Sequence, residues 1–301
     1  MNLKRAAHQL RRVRNIHRLD TTDTRRVSSV VRTWISMNQT AGSRRRLARQ
    51  SAERALRAAN VRRGIANSYK KVIANTVRKI LKRETKDILT EAEKAFGRRT
   101  VDLAVFDAWL RDYYNEEHAP HIEAEMWPVL LAIAEAINAS VGDEIGAEAI
   151  MTPELEEFLR DYVTIYRNRH IGQSITEIRE ALQEAGEEYG GQVELLRRLF
   201  EEKWDKRPDE EGQEEGIRAA NAVALFAYTL HGVPKVRWMA TGKSCPYCRA
   251  LDGRVVGTNT AFVKMGEEFK PDGVDMPMVT SRNTKHPPLH RGCDCLLVSG
   301  L

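Results

Sequence analysis

Cysteine is absent from the first 244 residues of this 301-residue chain, and other features typical of particular protein classes are also missing. There is no run of 18 apolar residues, so we expect no membrane-spanning helix. The N-terminal sequence MNLKRAAHQLRRVRN has no apolar core, so we expect no secretory signal and a cytosolic origin. The motifs GxSxG and HExxH and the phosphate-binding glycine loop do not occur. These absences predict a protein that is not an enzyme and has no small-molecule substrate.

Acidic residues are scarce at one end of the chain. Residues 1–65 contain 17 of the 48 Lys and Arg residues but three of the 42 acidic residues, and the rest of the chain is acidic overall. Nearly all of these cations are Arg, whose forked guanidinium suits phosphate or carboxylate. We interpret residues 1–65 as a basic helical arm that contacts DNA or an acidic partner. A solvated helical face is the alternative.

Strand patterns are also missing before residue 230, where apolar residues recur at helical spacing. Apolar residues between Tyr69 and Leu81 fall on one face of a helix, and further helices are predicted at about 88–96, 100–114 and 121–138. We therefore assign residues 66–232 to a helical body. Within it, the acidic residues 209–215 are interpreted as a solvated joint ahead of a helix over 219–230.

Period-two alternation appears only near the C-terminus. Val236, Trp238 and Ala240 alternate with less apolar residues, which is typical of a half-buried strand. Residues 254–256 follow an Asp-Gly turn and can pair back as a second strand. The predicted fold is mostly α, with a small α+β C-terminal module over residues 233–301 that is cross-linked by a Cys/His site.

All four cysteines lie in the last 57 residues, within two short motifs. Together the motifs offer five candidate ligands to a metal ion: Cys245 and Cys248 in CPYC, and His290, Cys293 and Cys295 in HRGCDC. Thiolate and imidazole ligands favour Zn²⁺, and having more candidate ligands than the four tetrahedral positions favours a closed, structural ion.

The sequence leaves the choice of four ligands open. The CxxC pair can be completed by Cys295 with His290 or by Cys295 with Cys293, and His286 is an outside candidate. Two readings without metal also stand: disulfides between the two motifs, and free buried thiols.

Two further histidines, His118 and His121, lie among four glutamates. A metal or acid–base cluster is one reading of this segment. We favour a solvated helix start, in which acidic side chains interact favourably with the helix dipole.

The C-terminal residues resemble a known family, the minor head or head morphogenesis proteins of tailed phages typified by protein F of phage Mu. The resemblance covers about residues 150–301 and is specific over 236–297. It rests on a helix over 218–230, Gly232, Val236-Arg-Trp238, Cys245-Pro-Tyr-Cys248, Leu251-Asp-Gly253, Val255 and Pro287-Pro-Leu-His290-Arg-Gly-Cys293-Asp-Cys295. Arg291 and Asp294 stand where the family usually has proline and arginine, and neither change removes a candidate ligand.

The resemblance implies a structural virion component without enzymatic activity. Such a protein is located in the phage head at the portal vertex and in the host cytoplasm during assembly. Its partners are the portal and other head proteins, and it acts in procapsid assembly and in DNA packaging or delivery. The basic arm adds an expectation of non-specific DNA binding. The alternative function is that of a zinc-containing, non-enzymatic DNA-binding protein.

Overall fold

The computed structural model describes residues 41–96, 103–185, 191–240 and 245–300. Seven α-helices are present in these ranges: α1 (Ala41–Phe96), α2 (Leu103–Asp112), α3 (Ala119–Ile145), α4 (Pro153–Ala185), α5 (Gly191–Arg198), α6 (Arg207–Leu230) and α7 (Pro246–Leu251). Two π-helical segments, Tyr113–His118 and Leu199–Trp204, follow α2 and α5. The strands are β1 (Lys235–Met239), β2 (Val255–Gly257), β3 (Glu268–Phe269), β4 (Met278–Val279) and β5 (Leu296–Ser299).

The 56-residue helix α1 is longer than its sequence pattern predicts. It is continuous through the segments expected to form separate helices, because small and apolar residues recur on its buried face from Ala55 to Phe96. The predicted limit of the basic arm at residue 65 falls inside this helix. Residues 1–40 of the arm lie outside the described residues.

Helix α6 includes the acidic residues 209–215, so the prediction of a solvated joint there is wrong. Glu215 is 2% exposed, and its carboxylate accepts hydrogen bonds from Tyr162 at 2.7 Å and from Arg169 at 2.5 Å. Such partners offset the desolvation of a buried carboxylate. Helix α6 also packs closely on α1 at Gly212, where a Cβ atom would lie 2.6 Å from the Lys70 carbonyl oxygen.

The C-terminal module contains a three-stranded antiparallel sheet in the order β2-β1-β5 and a ribbon of β3 and β4. Val236 and Trp238 are fully buried, as their alternation predicts, and β2 pairs back on β1 after the turn at Gly253. Since no strand precedes β1 in the described residues, the predicted fold class is confirmed.

The hydrophobic core continues from the helical body into this module. A buried polar contact joins them as well: Arg62 on α1 forms an ion pair with Glu144 on α3 and donates to the Leu297 carbonyl oxygen at 2.6 Å. The backbone N–H of Ser299 donates to the same Glu144 carboxylate at 2.9 Å. Strand β5 is therefore anchored to two helices of the body.

One stretch, Leu103–Ile145, is long and apolar enough to cross a membrane by length and composition. Half of its most apolar window is buried inside the protein, which is common for a core helix.

Candidate metal centre

The CPYC motif forms the N-terminus of the short helix α7. Cys245 is the N-cap residue, with extended backbone, and its Sγ accepts a hydrogen bond from the Cys248 backbone N–H at 3.4 Å. Pro246 occupies the first helical position, where the missing N–H costs no hydrogen bond. This turn brings the two thiols of the motif onto one side.

The HRGCDC motif lies directly before strand β5 and provides the second half of the cluster. The Cys293 backbone N–H donates to the His290 carbonyl oxygen at 3.2 Å, in a tight turn that has Gly292 at φ 75°. Cys295 immediately precedes β5, and its carbonyl oxygen accepts from Asn221 on α6 at 3.0 Å. Because β5 pairs with β1, and α7 follows β1 in the chain, this pairing places the HRGCDC motif near α7.

The two motifs meet, and all five candidate ligands lie in one cluster. His290 Nε2 is 3.0 Å from Cys245 Sγ and 3.3 Å from Cys248 Sγ. Cys248 Sγ lies 3.5 Å from Cys293 Sγ, and Cys295 completes a second group of three with Cys248 and Cys293. Cys248 belongs to both groups and is the centre of the cluster.

The tautomer of His290 suits metal binding. Its Nδ1 lies 2.7 Å from the Arg291 carbonyl oxygen, which can only accept, so Nδ1 carries the proton. In the neutral ring, the form that binds metal, the lone pair is then on Nε2, which faces the two CPYC thiols. A backbone carbonyl that fixes the tautomer in this way is the usual outer partner of a metal-binding histidine.

The thiols differ in their acidity. Cys248 and Cys293 share a hydrogen bond in which either thiol can donate, and this contact lowers the pKa of Cys293 and raises the pKa of Cys248. Burial alone would raise the pKa of Cys245, but the Cys248 N–H and His290 lower it below its ordinary value. The cluster therefore favours thiolate, the form that binds metal, at two of its positions.

All four cysteines are free thiols, and the structure contains no disulfide among them. His286 lies outside the cluster, since its Nδ1 is 2.6 Å from the carbonyl oxygen of Pro287. Arg291 forms ion pairs with Glu210 and Glu214 on α6, and such largely exposed pairs contribute little to stability.

A second group of potential ligands lies in the helical body and was not predicted from the sequence. Glu84, His118 and His170 are fully buried, and their ligand atoms lie within 4.8 Å of one another. The interpretation of His118 as part of a solvated helix start is therefore wrong. His121 is not in the group and lies near Glu125.

Comparison with protein-family models, with curated proteins and with solved structures gives no match for this chain.

Proposed function

We propose that the Cys/His cluster binds one structural Zn²⁺ ion. The donor set fits: three thiols and an imidazole nitrogen oriented by its Nδ1 hydrogen bond are borderline-soft ligands of the kind that zinc prefers. Cys245, Cys248 and His290 have ligand atoms within 4.8 Å of one another, and Cys293 or Cys295, which both group with Cys248, completes the set of four. The remaining thiol of these two is then a buried neighbour of the ion.

A structural ion of this kind is strong enough to hold the module together. Cys248 and His290 are 42 residues apart, and closing a loop of that length costs about 3 kcal/mol of chain entropy. Zinc binding to comparable sites contributes roughly 10 kcal/mol or more of folding free energy. The free energy of zinc binding that remains after loop closure stabilises a segment whose strands β3 and β4 have two residues each.

We further propose that the protein is a minor head protein of a tailed phage, a non-enzymatic virion component at the portal vertex. The observation that carries this proposal is the convergence of CPYC and HRGCDC on one cluster beside the β1–β2 hairpin. These are the residues on which the family resemblance rests. Residues 236–297 then form a rigid docking module, and the helical body is the surface for the portal and other head proteins.

The described part of the basic arm supports DNA as an additional partner. Arg46 and Arg49 are exposed, and so are Arg54 and Arg57. Arginines on an accessible helix neutralise phosphates without reading bases, which suits encapsidated DNA of any sequence.

Mass spectrometry of purified phage heads that contain this chain, combined with elemental analysis of the isolated protein, tests both proposals. We expect the chain in heads at a copy number close to that of the portal and about one zinc ion in the Cys/His cluster. The variant Cys248→Ala should lose this ion and fail to enter heads. Met265→Ala, a 63% exposed residue of the same module, is the matched control and should behave as the wild type.

The outcomes separate the alternatives. Zinc in the isolated protein, absence from heads and sequence-selective binding to free DNA would favour a DNA-binding protein with a zinc module. Disulfides in place of metal under non-reducing mass spectrometry would contradict the zinc site but leave the head assignment open to its own test.

A further inference from the structure

The buried group in the helical body combines three side chains from three separate elements. Glu84 is on α1, His118 ends the first π-helical segment, and His170 is on α4. Glu84 Oε2 lies 2.9 Å from His170 Nε2 and 3.4 Å from His118 Nε2. Two imidazole nitrogens therefore point at one carboxylate oxygen, in the protein interior.

Hydrogen bonding around His118 leaves a lone pair without a donor. Tyr113 Oη donates to Asp87 at 3.2 Å, and it lies 3.0 Å from His118 Nδ1. A hydroxyl has one proton, so His118 Nδ1 must be the donor in the second contact. His118 Nε2 then presents a lone pair to Glu84 Oε2, and it has no hydrogen-bond partner among the described residues. Facing lone pairs in a buried site need a positive charge between them, which a proton on the ring or a bound metal ion supplies.

The spacing of the three ligand atoms fits a metal ion. With bonds of about 2.0–2.1 Å, adjacent ligand atoms lie about 2.9 Å apart in octahedral and about 3.4 Å apart in tetrahedral geometry. The distances from Glu84 Oε2 to His170 Nε2, 2.9 Å, and to His118 Nε2, 3.4 Å, fall within the range that these two geometries span. Two imidazoles and one carboxylate form a common ligand set for divalent first-row transition metals.

Two of the three ligands are held by another side chain, as metal ligands usually are. Tyr114 Oη donates to Glu84 Oε1 at 2.5 Å, and Tyr113 Oη contacts His118 Nδ1 on the side of the ring away from Glu84. For His170, Glu211 Oε1 lies 3.8 Å from Nδ1, beyond hydrogen-bond distance.

Charged side chains surround the group. Arg207 forms an ion pair with Glu211, and Glu84 Oε2 lies within ion-pairing distance of both histidines. A metal ion bound here takes the place of a proton on these histidines.

The π-helical segment is what creates this arrangement. Tyr113 and His118 are five residues apart, which corresponds to about 140° around an ordinary α-helix. In the π-helical segment their rings stack with centroids 5.2 Å apart and planes at 23°. The wider turn thus places both side chains on the same inner face, and such turns are frequent at functional sites.

We propose that Glu84, His118 and His170 form a second metal site, which binds a divalent first-row transition metal inside the helical body. This site is separate from the Cys/His cluster and does not depend on the proposed function. Its ligands are nitrogen and oxygen alone, whereas those of the C-terminal cluster are mainly sulfur.

Cobalt substitution in the full-length chain distinguishes the two sites, since Co²⁺ is a spectroscopic probe for both. We expect two Co²⁺ ions per chain in protein produced in cobalt-supplemented medium. The intensity of thiolate-to-cobalt charge transfer should correspond to one ion only. A wild-type protein whose every bound cobalt has thiolate ligands would overturn the proposal.

Substitutions assign the second ion. Glu84→Gln and His118→Gln should each reduce the metal content from two ions to one, with the thiolate band unchanged. His121→Gln, one turn from His118 but outside the group, should retain both ions. Tyr113→Phe is milder and should weaken the second site about 10- to 100-fold through loss of the contact that orients His118. Unchanged metal content in Glu84→Gln and His118→Gln, or equal loss in His121→Gln, would contradict the site.

Discussion

The two ligand clusters of this protein differ in how far apart their residues lie in the sequence. In the C-terminal module, each half of the cluster is a motif of four to six residues, and a tight turn of the backbone brings its members together. In the helical body, Glu84 and His170 are 86 residues apart, and each ligand comes from a different element. Local spacing makes the first cluster visible in the sequence, whereas only the packing of the helices creates the second.

The same contrast explains which parts of the fold could be predicted. The helical body and the β1–β2 hairpin follow from periodicity, since apolar residues recur at helical spacing before residue 230 and alternate after it. The acidic residues of α6 were misread because a run of charges usually marks a solvated surface. Tyr162 and Tyr166 donate hydrogen bonds to Glu215 and Glu211. These partners lie far away in the sequence, so the run of acidic residues alone does not predict them.

The prediction for His118 is wrong for a second physical reason. It rests on the four neighbouring glutamates, which suggest a solvated helix start. The π-helical segment from Tyr113 to His118 has a wider turn than an α-helix, and His118 at its end is fully buried. For the Cys/His cluster the five residues could be predicted, but the grouping of Cys245 and His290 on one side of Cys248 and of Cys293 and Cys295 on the other required the structure.

The largest effect should come from the cysteine that belongs to both halves of the C-terminal cluster. Cys248→Ser should release the metal and unfold residues 233–301, because roughly 10 kcal/mol of folding free energy comes from such an ion. Most of the helical circular dichroism should remain, since the helices before residue 230 supply it. Limited proteolysis checks the result: unchanged protection of the C-terminal module in this variant would count against a metal cross-link.

The contact between the two regions should give the next largest effect. Arg62→Met leaves Glu144 buried without its cation, and breaking a buried ion pair on one side costs about 3–5 kcal/mol. Denaturant unfolding measures this loss. Arg197→Met, which removes an exposed ion pair with Glu93, is the matched control and should cost less than about 1 kcal/mol. Equal losses in the two variants would mean that the body and the module do not depend on this contact.

Helix α6 lies between the two regions, and its close approach to α1 should be sensitive to a single methyl group. Gly212→Ala places a Cβ atom 2.6 Å from the Lys70 carbonyl oxygen and 3.1 Å from the Ala74 Cβ, so we expect a loss of about 1–3 kcal/mol. Gly172→Ala on α4 has open space around the new Cβ and should instead stabilise by roughly 0.5–1 kcal/mol. Thermal melts of both variants compare the signs, and a stabilising Gly212→Ala would show that α6 can move away from α1.

The smallest effect concerns pH and the histidine that does not join the Cys/His cluster. Burial, together with the positive charges of Arg282 and Arg218, lowers the pKa of His286 to about 4. An unfolded histidine has a pKa near 6.5, so below that pH the unfolded chain binds a proton that the folded chain does not. Stability should therefore fall as the pH drops from about 6.5 to about 4, by about 1 kcal/mol between pH 7 and pH 5.5.

Comparison with His286→Gln isolates this contribution, because loss of metal at low pH affects both proteins alike. The difference in unfolding free energy between wild type and variant should shift in favour of the variant as the pH falls. A constant difference over this range would mean that folding does not lower the pKa of His286, and that the surroundings of this residue are more open to water than the structure indicates.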